Sequence, residues 1–436
     1  MNPRAAVITG YTNDPTLGKI MLQSLNNQVF RDFDCYVYAS PTTSHYIEDS
    51  FLEGLSYKCY QFKLEKNLGF TGNNNFCIRK AFDTTDYTHI VVVNDDTIPD
   101  ADWLKEMIKM AQSSTEIGAV ASKMVFYQKF MTLTGETQTA MAPNDSRVLG
   151  VRYYENTRFT TSFYPKRFYT EGFYHQETDE IGPYKWTSGK FIIEVPVLPA
   201  PDGVYTLKIS LKKNDYIPDQ KLELKIGDSA IATIALTDAI YYEVNVPADI
   251  MKKNMHHIIQ NAGSGLTPNF SGYDIGFGEI DKGQYETPRE VQMFCGGSFL
   301  ITREALLKTG LFLDGYFVYY EDSDLSLQVK KQGFKIVYCP TSIIEHYHTA
   351  TNKEWSPFFI YHVFRNKIIF SARNFGFKAF MSSLSERGKE TYTFFKLYTK
   401  SRFKNQDYKH RLKLNLVILK DAIGGVIKFK PKYLKK

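Results

Sequence analysis

Two acidic clusters in this sequence stand where carboxylates can do chemistry. Asn94-Asp95-Asp96 follows directly on the β-branched run His89-Ile90-Val91-Val92-Val93, and Glu321-Asp322-Ser323-Asp324 follows Tyr319-Tyr320. In open α/β sheets ligands bind in the crevice outside the carboxyl ends of the strands, and neighbouring carboxylates there can hold a hard divalent cation and, through it, phosphate. Taken alone, the first triplet reads as a polar turn capping the next helix, and the second cluster as N-terminal charge complementing a helix dipole. A third feature comes earlier. Asn67-Leu68-Gly69-Phe70-Thr71-Gly72-Asn73-Asn74-Asn75 is a Gly/Asn-rich loop expected to open a helix over 76–82. Helix N-termini offer unpaired N–H groups and a positive dipole end, and glycine lets a ligand approach the backbone closely. His346 and His348, which follow a strand expected at 335–338 that ends before Pro340, read on their own as structural histidines.

The elements that must position these groups alternate in type. Short apolar runs at 5–9, 34–39 and 57–62 read as strands, while Leu17, Ile20, Met21 and Leu25 fall at helical spacing. Trp103, Leu104, Met107, Ile108 and Ala111 mark a second amphipathic helix, and 117–126 returns as a strand. Strand, helix, strand with short loops means βαβ units and a mostly parallel sheet flanked by helices. The character then changes. Residues 151–187 are dense in Tyr, Phe and Arg without a clear period, and strand-like runs follow at 190–197, 204–211, 221–226, 230–236 and 240–246. With no helical period among them, this stretch reads as a small antiparallel β-sandwich inserted into an α/β fold. The α/β pattern resumes with Cys295-Gly296-Gly297, a strand and a helix over 303–309. The expected organisation is therefore an α/β half at 1–143, the insertion at 144–268, a second α/β half at 269–375 and a basic amphipathic helical tail at 376–436.

Composition narrows the function classes. Five cysteines, Cys35, Cys59, Cys77, Cys295 and Cys339, are odd in number and form no Cys-x-x-Cys pair, which argues against a disulfide framework and a zinc site and for a reducing compartment. No window reaches the ~18 continuous apolar residues of a spanning helix, and the first residues lack the apolar core of a signal peptide. A cytoplasmic location is expected. The net charge of +6 is unevenly spread, since residues 376–436 hold 16 Lys/Arg and 4 Asp/Glu, a net of +12, leaving 6 − 12 = −6 for the remainder. Basic residues interleaved with Phe, Tyr, Leu and Ile suit helices lying on an anionic membrane surface. A solvated helical face is the plainer reading of that charge, and with no nucleic-acid motif beside it, no nucleic-acid partner is expected.

Together the motifs supply what one reaction needs: a cation site for a diphosphate leaving group, a nucleotide cradle and a carboxylate to deprotonate a nucleophile. In their order, the chain resembles the family 2 inverting glycosyltransferases of GT-A fold, particularly bacterial rhamnosyl- and galactofuranosyltransferase-like members. The resemblance covers 5–142 and 270–375 and rests on the 67–75 stretch, Asn94-Asp95-Asp96, Cys295-Gly296-Gly297, Tyr320 to Asp324, His346 and Arg365-Asn366. It implies that Asp96 binds Mn²⁺ or Mg²⁺ with Asp95 beside it, and that Asp322 is the general base. It further implies that Thr9, Tyr11, Gly69 and Asn75 line the nucleotide, Gly296 and Gly297 underlie the donor sugar, and Arg365 pairs with phosphate. His346 would complete the metal or phosphate site, and Glu321 and Asp324 would position the base or the acceptor.

By the same resemblance, the expected activity is transfer of a hexose or deoxyhexose from a UDP- or dTDP-sugar to a glycan, or lipid-linked glycan, of a bacterial cell wall or capsule, at the inner face of the plasma membrane. Two departures stand out. Ala39-Ser40-Pro41-Thr42 replaces the acid that usually follows the second strand, which leaves the nucleotide base open, and Asn94 replaces the first acid of the triplet. A glycan-binding or assembly subunit that kept the fold without the chemistry is the alternative. A nucleotidyltransferase would need a basic Gly-rich loop near the first strand, and Thr9-Gly10-Tyr11-Thr12-Asn13 has no Lys or Arg.

Overall fold

The computed structural model describes residues 2–84, 87–155, 157–160, 168–347 and 355–429. His348, part of the aromatic-rich stretch at 161–167 and the tail's end at 430–436 lie outside the described residues. Two compact units form, one from the described parts of Met1–Val125, Ile259–Phe277 and Gly283–Lys436, the other from Phe126–Ile258 and Gly278–Lys282.

The first unit starts with β1 (Ala5–Tyr11), α1 (Thr16–Ser24), β2 (Phe33–Ala39), a short α2 (Asp49–Glu53) and β3 (Cys59–Lys63). It continues with α3 (Gly69–Thr84), β4 (His89–Val93), β5 (Thr97–Pro99), α4 (Trp103–Gln112) and β6 (Ile117–Phe126). The apolar runs of β1, β2 and β4 are buried on both faces, as continuous rather than alternating hydrophobicity demands. Ala6, Ile8, Tyr36, Ile90 and Val92 pack with Cys77, Ile78 and Ala81 of α3 on one side. Ala5, Val7, Cys35, Val37 and Val91 pack on the other with Met21 and Leu22 of α1 and Leu104 and Met107 of α4. Fully burying a large aliphatic side chain of this kind contributes about 1.5–3 kcal/mol.

The helix expected at 76–82 begins instead at Gly69, so the Gly/Asn stretch forms its first two turns rather than a loop. Asn side chains make this possible by satisfying the orphan donors of the helix start. Asn67 Oδ1 accepts from the Gly69 N–H at 2.9 Å, and Asn73 Oδ1 from the Leu68 N–H at 3.0 Å. Gly69 has φ +72°, and a Cβ there would meet the Phe317 carbonyl oxygen at 2.4 Å, so no other residue fits.

The second unit is antiparallel throughout its named pairings. Its strands are β7 (Lys129–Thr137), β8 (Arg152–Tyr154), β9 (Arg158–Phe159), β10 (Phe168–Thr178), β11 (Pro183–Val197), β12 (Tyr205–Lys212), β13 (Lys221–Ile226), β14 (Ser229–Ala235) and β15 (Tyr241–Val246), followed by α5 (Ala248–Asn254). They form one hydrogen-bonded sheet in the order β14-β13-β7-β11-β8-β12-β15, with β10 on β11 and β9 on β12. The expected insertion is thus a continuous sheet joined through β8. Its first part showed no period because the β10–β11 register shifts at Tyr169/Glu171, Glu171/Phe173 and Phe173/Gln176, and each shift resets the alternation of faces.

The chain then returns to the first unit with β16 (Ile259–Asn261), β17 (Ser264–Leu266), β18 (Gly272–Asp274), β19 (Arg289–Glu290), β20 (Ser298–Thr302) and α6 (Arg303–Thr309). It ends with α7 (Glu321–Lys331), β21 (Lys335–His346), α8 (Pro357–Phe375), α9 (Phe377–Lys400) and α10 (Gln406–Lys428). The sheet order is β19-β21-β6-β20-β4-β1-β2-β3, with β16 beside β6 and β5 beside β21. β3, β2, β1 and β4 pair in parallel, β20 joins β4 and β6 antiparallel, and β21 starts beside the start of β6, the Lys335 N–H donating to the Glu116 carbonyl at 2.7 Å. This is the expected α/β sheet flanked by helices, with β20 as its antiparallel member between β4 and β6. β21 also runs past Pro340, which falls between the residues pairing β19 and those pairing β5.

Candidate active site

The acids predicted to act meet in the first unit. Asn94 follows β4, and its N–H donates to the Gly297 carbonyl at 3.0 Å, which staples the acidic triplet to the glycine loop entering β20. Thr97 Oγ1 donates to the Asn94 carbonyl at 2.7 Å and closes the turn. Asp96, 7% exposed, lies against His346, also 7% exposed, with Oδ1 and Nε2 at 3.0 Å across 250 residues of sequence. The other ring nitrogen of His346 is 2.8 Å from Gln260 Oε1. An Nδ1–H donated to that amide oxygen would leave Nε2 as the ring atom that faces Asp96. The protein around Asp95, and then the charge of Asp96, push the Asp95 carboxyl well above the usual carboxylate range.

Facing them is the first turn of α7. Asp322 Oδ2 accepts from the Gly296 N–H at 2.8 Å, and Oδ1 accepts from the Ser323 N–H at 2.6 Å. Burial pushes Asp322 above the usual carboxylate range, and these hydrogen bonds hold the rise in check. Glu321 is 6% exposed, and its Oε2 has no hydrogen-bond partner. Burial, then the charge of Asp322, drive its pKa well up and favour the protonated form.

This turn is held by strain that other residues stabilise. Phe317, Tyr319 and Tyr320 have φ of 68°, 68° and 70°, each costing on the order of 1–3 kcal/mol. Asn366 Nδ2 lies 2.9, 2.8 and 2.9 Å from the carbonyls of Tyr316, Val318 and Tyr319, and Arg365 Nη1 donates to the Gly315 carbonyl at 2.9 Å. Arg365 and Asn366 thus shape the segment that leads into Glu321 and Asp322. Arg365 is not among the residues lining the cleft.

The cleft these groups enclose holds about 550 Å³. Asp95, Asp96 and His346 line one part of it, Glu321 and Asp322 another, with Gly69, Gly296 and Gly297 as bare backbone between them. A shallower hollow of about 800 Å³ along edge strand β3 contains none of these cleft groups.

Four further predicted residues lie off the cleft lining. Tyr11 is 1% exposed, its hydroxyl donating to Gln61 Oε1 at 2.5 Å and accepting from the Ile47 N–H at 3.0 Å. Thr9 is buried on the same strand. Successive residues of a strand face opposite sides, so the neighbours Gly10 and Thr12 reach the cleft, with Asn13 beyond them. Gly10 is required, because a Cβ would sit 2.3 Å from the Tyr38 ring. Asn75 is used internally, donating to the Phe312 carbonyl at 2.8 Å and to Asp314 Oδ1 at 2.7 Å. Asp324 turns inward, accepting from Arg373 Nε at 3.1 Å and Asn374 Nδ2 at 2.7 Å.

Two contributors carry no signal in the sequence. Gln260 falls within the stretch assigned to the insertion, and no spacing marks it. The aromatic side of the cleft, Phe317, Tyr319, Phe358 and Phe359, comes from a loop and a helix start without a motif.

No protein-family model matches this chain, and no curated protein sequence matches it. Among solved structures it is similar to GalNAc-T7 with UDP, GalNAc and Mn²⁺, at 8% identity and TM-score 0.44, over 84% of this chain and 47% of that one. It is also similar to Staphylococcus aureus TarS 1-349, at 18% identity and TM-score 0.25, over 28% of this chain and 35% of that one. A third is the mannosyltransferase PcManGT from Pyrobaculum calidifontis in complex with GDP-Man and Mn²⁺, at 10% identity and TM-score 0.41, over 99% and 89%. The matched regions span about half of the first structure and about a third of the second.

Proposed function

We propose that this chain is an inverting glycosyltransferase acting on a nucleotide-diphosphate sugar. The observation that carries the reading is the convergence in one cleft of the Asp96–His346 pair with Asp322, floored by Gly296 and Gly297. Such a set separates a site for a charged leaving group from a site for a base. Among the described residues no cluster of three or more His, Cys, Asp and Glu side chains forms a closed metal cage. Mg²⁺ is commonly bound through one or two carboxylates with substrate phosphates completing its coordination, and Asp96 would supply that carboxylate to Mn²⁺ or Mg²⁺, with the His346 imidazole beside it. Asp96 and His346 would hold that cation, which when bound supplies charge neutralisation at the departing diphosphate.

The chain's own residues do the rest. Asp322, fixed by the Gly296 and Ser323 N–H groups, takes the proton from an acceptor hydroxyl. The acceptor oxygen forms a bond to the anomeric carbon as the bond from that carbon to the diphosphate oxygen breaks, and the diphosphate leaves with the electron pair. One displacement inverts the anomeric configuration. Gly10 and Gly69 contribute backbone to the cleft wall, and the aromatic residues Phe317, Tyr319, Phe358 and Phe359 exclude water from the reacting centre. The donor is a UDP- or dTDP-hexose or deoxyhexose, and the acceptor a cell-surface glycan.

A panel of nucleotide-sugars screened by thermal shift with Mn²⁺ identifies the donor, and its consumption is then followed with wild type and Asp96→Ala. Loss of turnover in the variant is expected. Equal turnover would remove the cation site, and no donor binding by wild type would remove the transferase reading.

A further inference from the structure

α9 and α10 carry charge in a pattern that catalysis does not use. They pack on each other and on α8. The inward face of α10 is Asn415, Ile418, Ala422 and Gly425, and a Cβ at Gly425 would lie 2.5 Å from Ile369 of α8, so this contact is close. Three of the four acids on the two helices are engaged by neighbours within the bundle. Glu386 pairs with Lys367 at 2.7 Å, Glu390 with Arg387 at 2.7 Å, and Asp421 accepts from the Tyr361 hydroxyl at 2.8 Å. Most of the other exposed residues on the two helices are basic or apolar. On α10, Lys413, Leu416, Lys420, Ile423, Ile427 and Lys428 recur at helical spacing and are exposed, Leu416 at 52% and Ile427 at 64%. On α9 the same spacing brings out Lys378, Met381, Lys389, Tyr392 and Lys396. These six lysines make no ion pair among the described residues. No described helix is long and apolar enough to cross a membrane.

We propose that the outer face of α9 and α10 docks on an anionic lipid bilayer, lysines at the headgroups and Leu416, Ile423, Ile427 and Met381 in the interface. Charge complementarity selects this occupant. Large apolar side chains spaced between unpaired lysines match a surface that is apolar beneath and anionic above, whereas a helix face meant only for water has no use for Leu416, Ile423 and Ile427. The pairing of the acids offsets the negative charge that lipid headgroups would repel. This placement does not depend on the transferase reading, and it would hold the cleft near acceptors that are themselves lipid-anchored.

The test uses the full chain and co-sedimentation with phosphatidylcholine vesicles, with and without phosphatidylglycerol, at low and high salt. Binding only to the anionic vesicles, weakened by salt, is expected. Lys413→Glu with Lys420→Glu and Lys428→Glu should weaken it about tenfold or more, and Leu416→Ser with Ile423→Ser and Ile427→Ser should weaken it even at low salt. All these side chains are exposed, so both variants should keep the wild-type melting temperature. Lys252→Glu with Lys253→Glu, exposed on α5, should bind as wild type does. Equal binding to neutral vesicles, unchanged binding by the α10 variants, or equal loss in the α5 control would overturn the proposal. So would protection of this face in a dimer of the free protein.

Discussion

The antiparallel unit and the cleft of the α/β unit treat their carboxylates in opposite ways. In the antiparallel unit Asp145, Asp179 and Glu194 are each answered by a neighbour. Arg147 holds Asp145 at about 2. Burial works against Asp179, yet hydrogen bonds from the Tyr154 hydroxyl and the N–H groups of Ile181 and Gly182 keep it below its ordinary value. Glu194, 3% exposed, accepts from Thr132 Oγ1 at 2.9 Å and lies 2.9 Å from His256 Nε2. In the cleft of the α/β unit, Asp95, Glu321 and Asp322 are all shifted upward, and Glu321 Oε2 is left without a partner. The paired acids build structure, whereas the cleft acids are held at a cost in stability, as perturbed groups at functional sites are. Within α7 the same divide runs through a single turn, since Asp324 is clamped by Arg373 while Glu321 and Asp322 face the cleft.

Breaking one acid on each side should have opposite consequences. The largest effect belongs to Asp322→Asn, which should lower the transfer rate by about 10²–10⁴-fold while leaving donor affinity near wild type; steady-state kinetics with a verified donor decide this. Glu194→Ala should strand His256 and Thr132 and destabilise its unit by about 1–3 kcal/mol, read by urea denaturation, with kcat of the folded protein unchanged.

Glu321→Gln should do the reverse. A carboxyl whose folded pKa is raised binds its proton more tightly in the native state, so wild-type stability falls as pH rises from the unfolded value toward the folded one. The variant should therefore melt higher than wild type near pH 8, with the difference shrinking toward about pH 4. Equal melting differences at both pH values would mean that Glu321 carries no stored cost. The smallest effect is expected for Tyr11→Phe, about 1 kcal/mol of stability with donor affinity unchanged, because its hydroxyl serves Gln61 and Ile47 rather than the cleft.

Much of this was legible in the residues. The runs of β1, β2 and β4 announce strands buried on both faces, and the acids at the end of β4 and the start of α7 announce themselves by position. Face was harder to read. Thr9 and Tyr11 sit one residue from Gly10 and Thr12, and a strand end alone does not say which parity meets the ligand. Helix phase was equally hidden at Asp324, two residues beyond Asp322, where a rotation of about 200° turns the side chain to Arg373. The Gly/Asn stretch looked like a loop because its composition opposes helix, and only the Asn67 and Asn73 side-chain bonds show how the helix begins there. The strands of 151–187 stayed hidden because bulges erase the period.

The most direct test of the cleft is titration calorimetry of the cognate UDP- or dTDP-sugar into wild type and Asp96→Ala, each with and without Mn²⁺. Wild-type binding should need Mn²⁺ and weaken at least about tenfold in the variant. Equal affinity in all four titrations would contradict a cation site at Asp96 and His346.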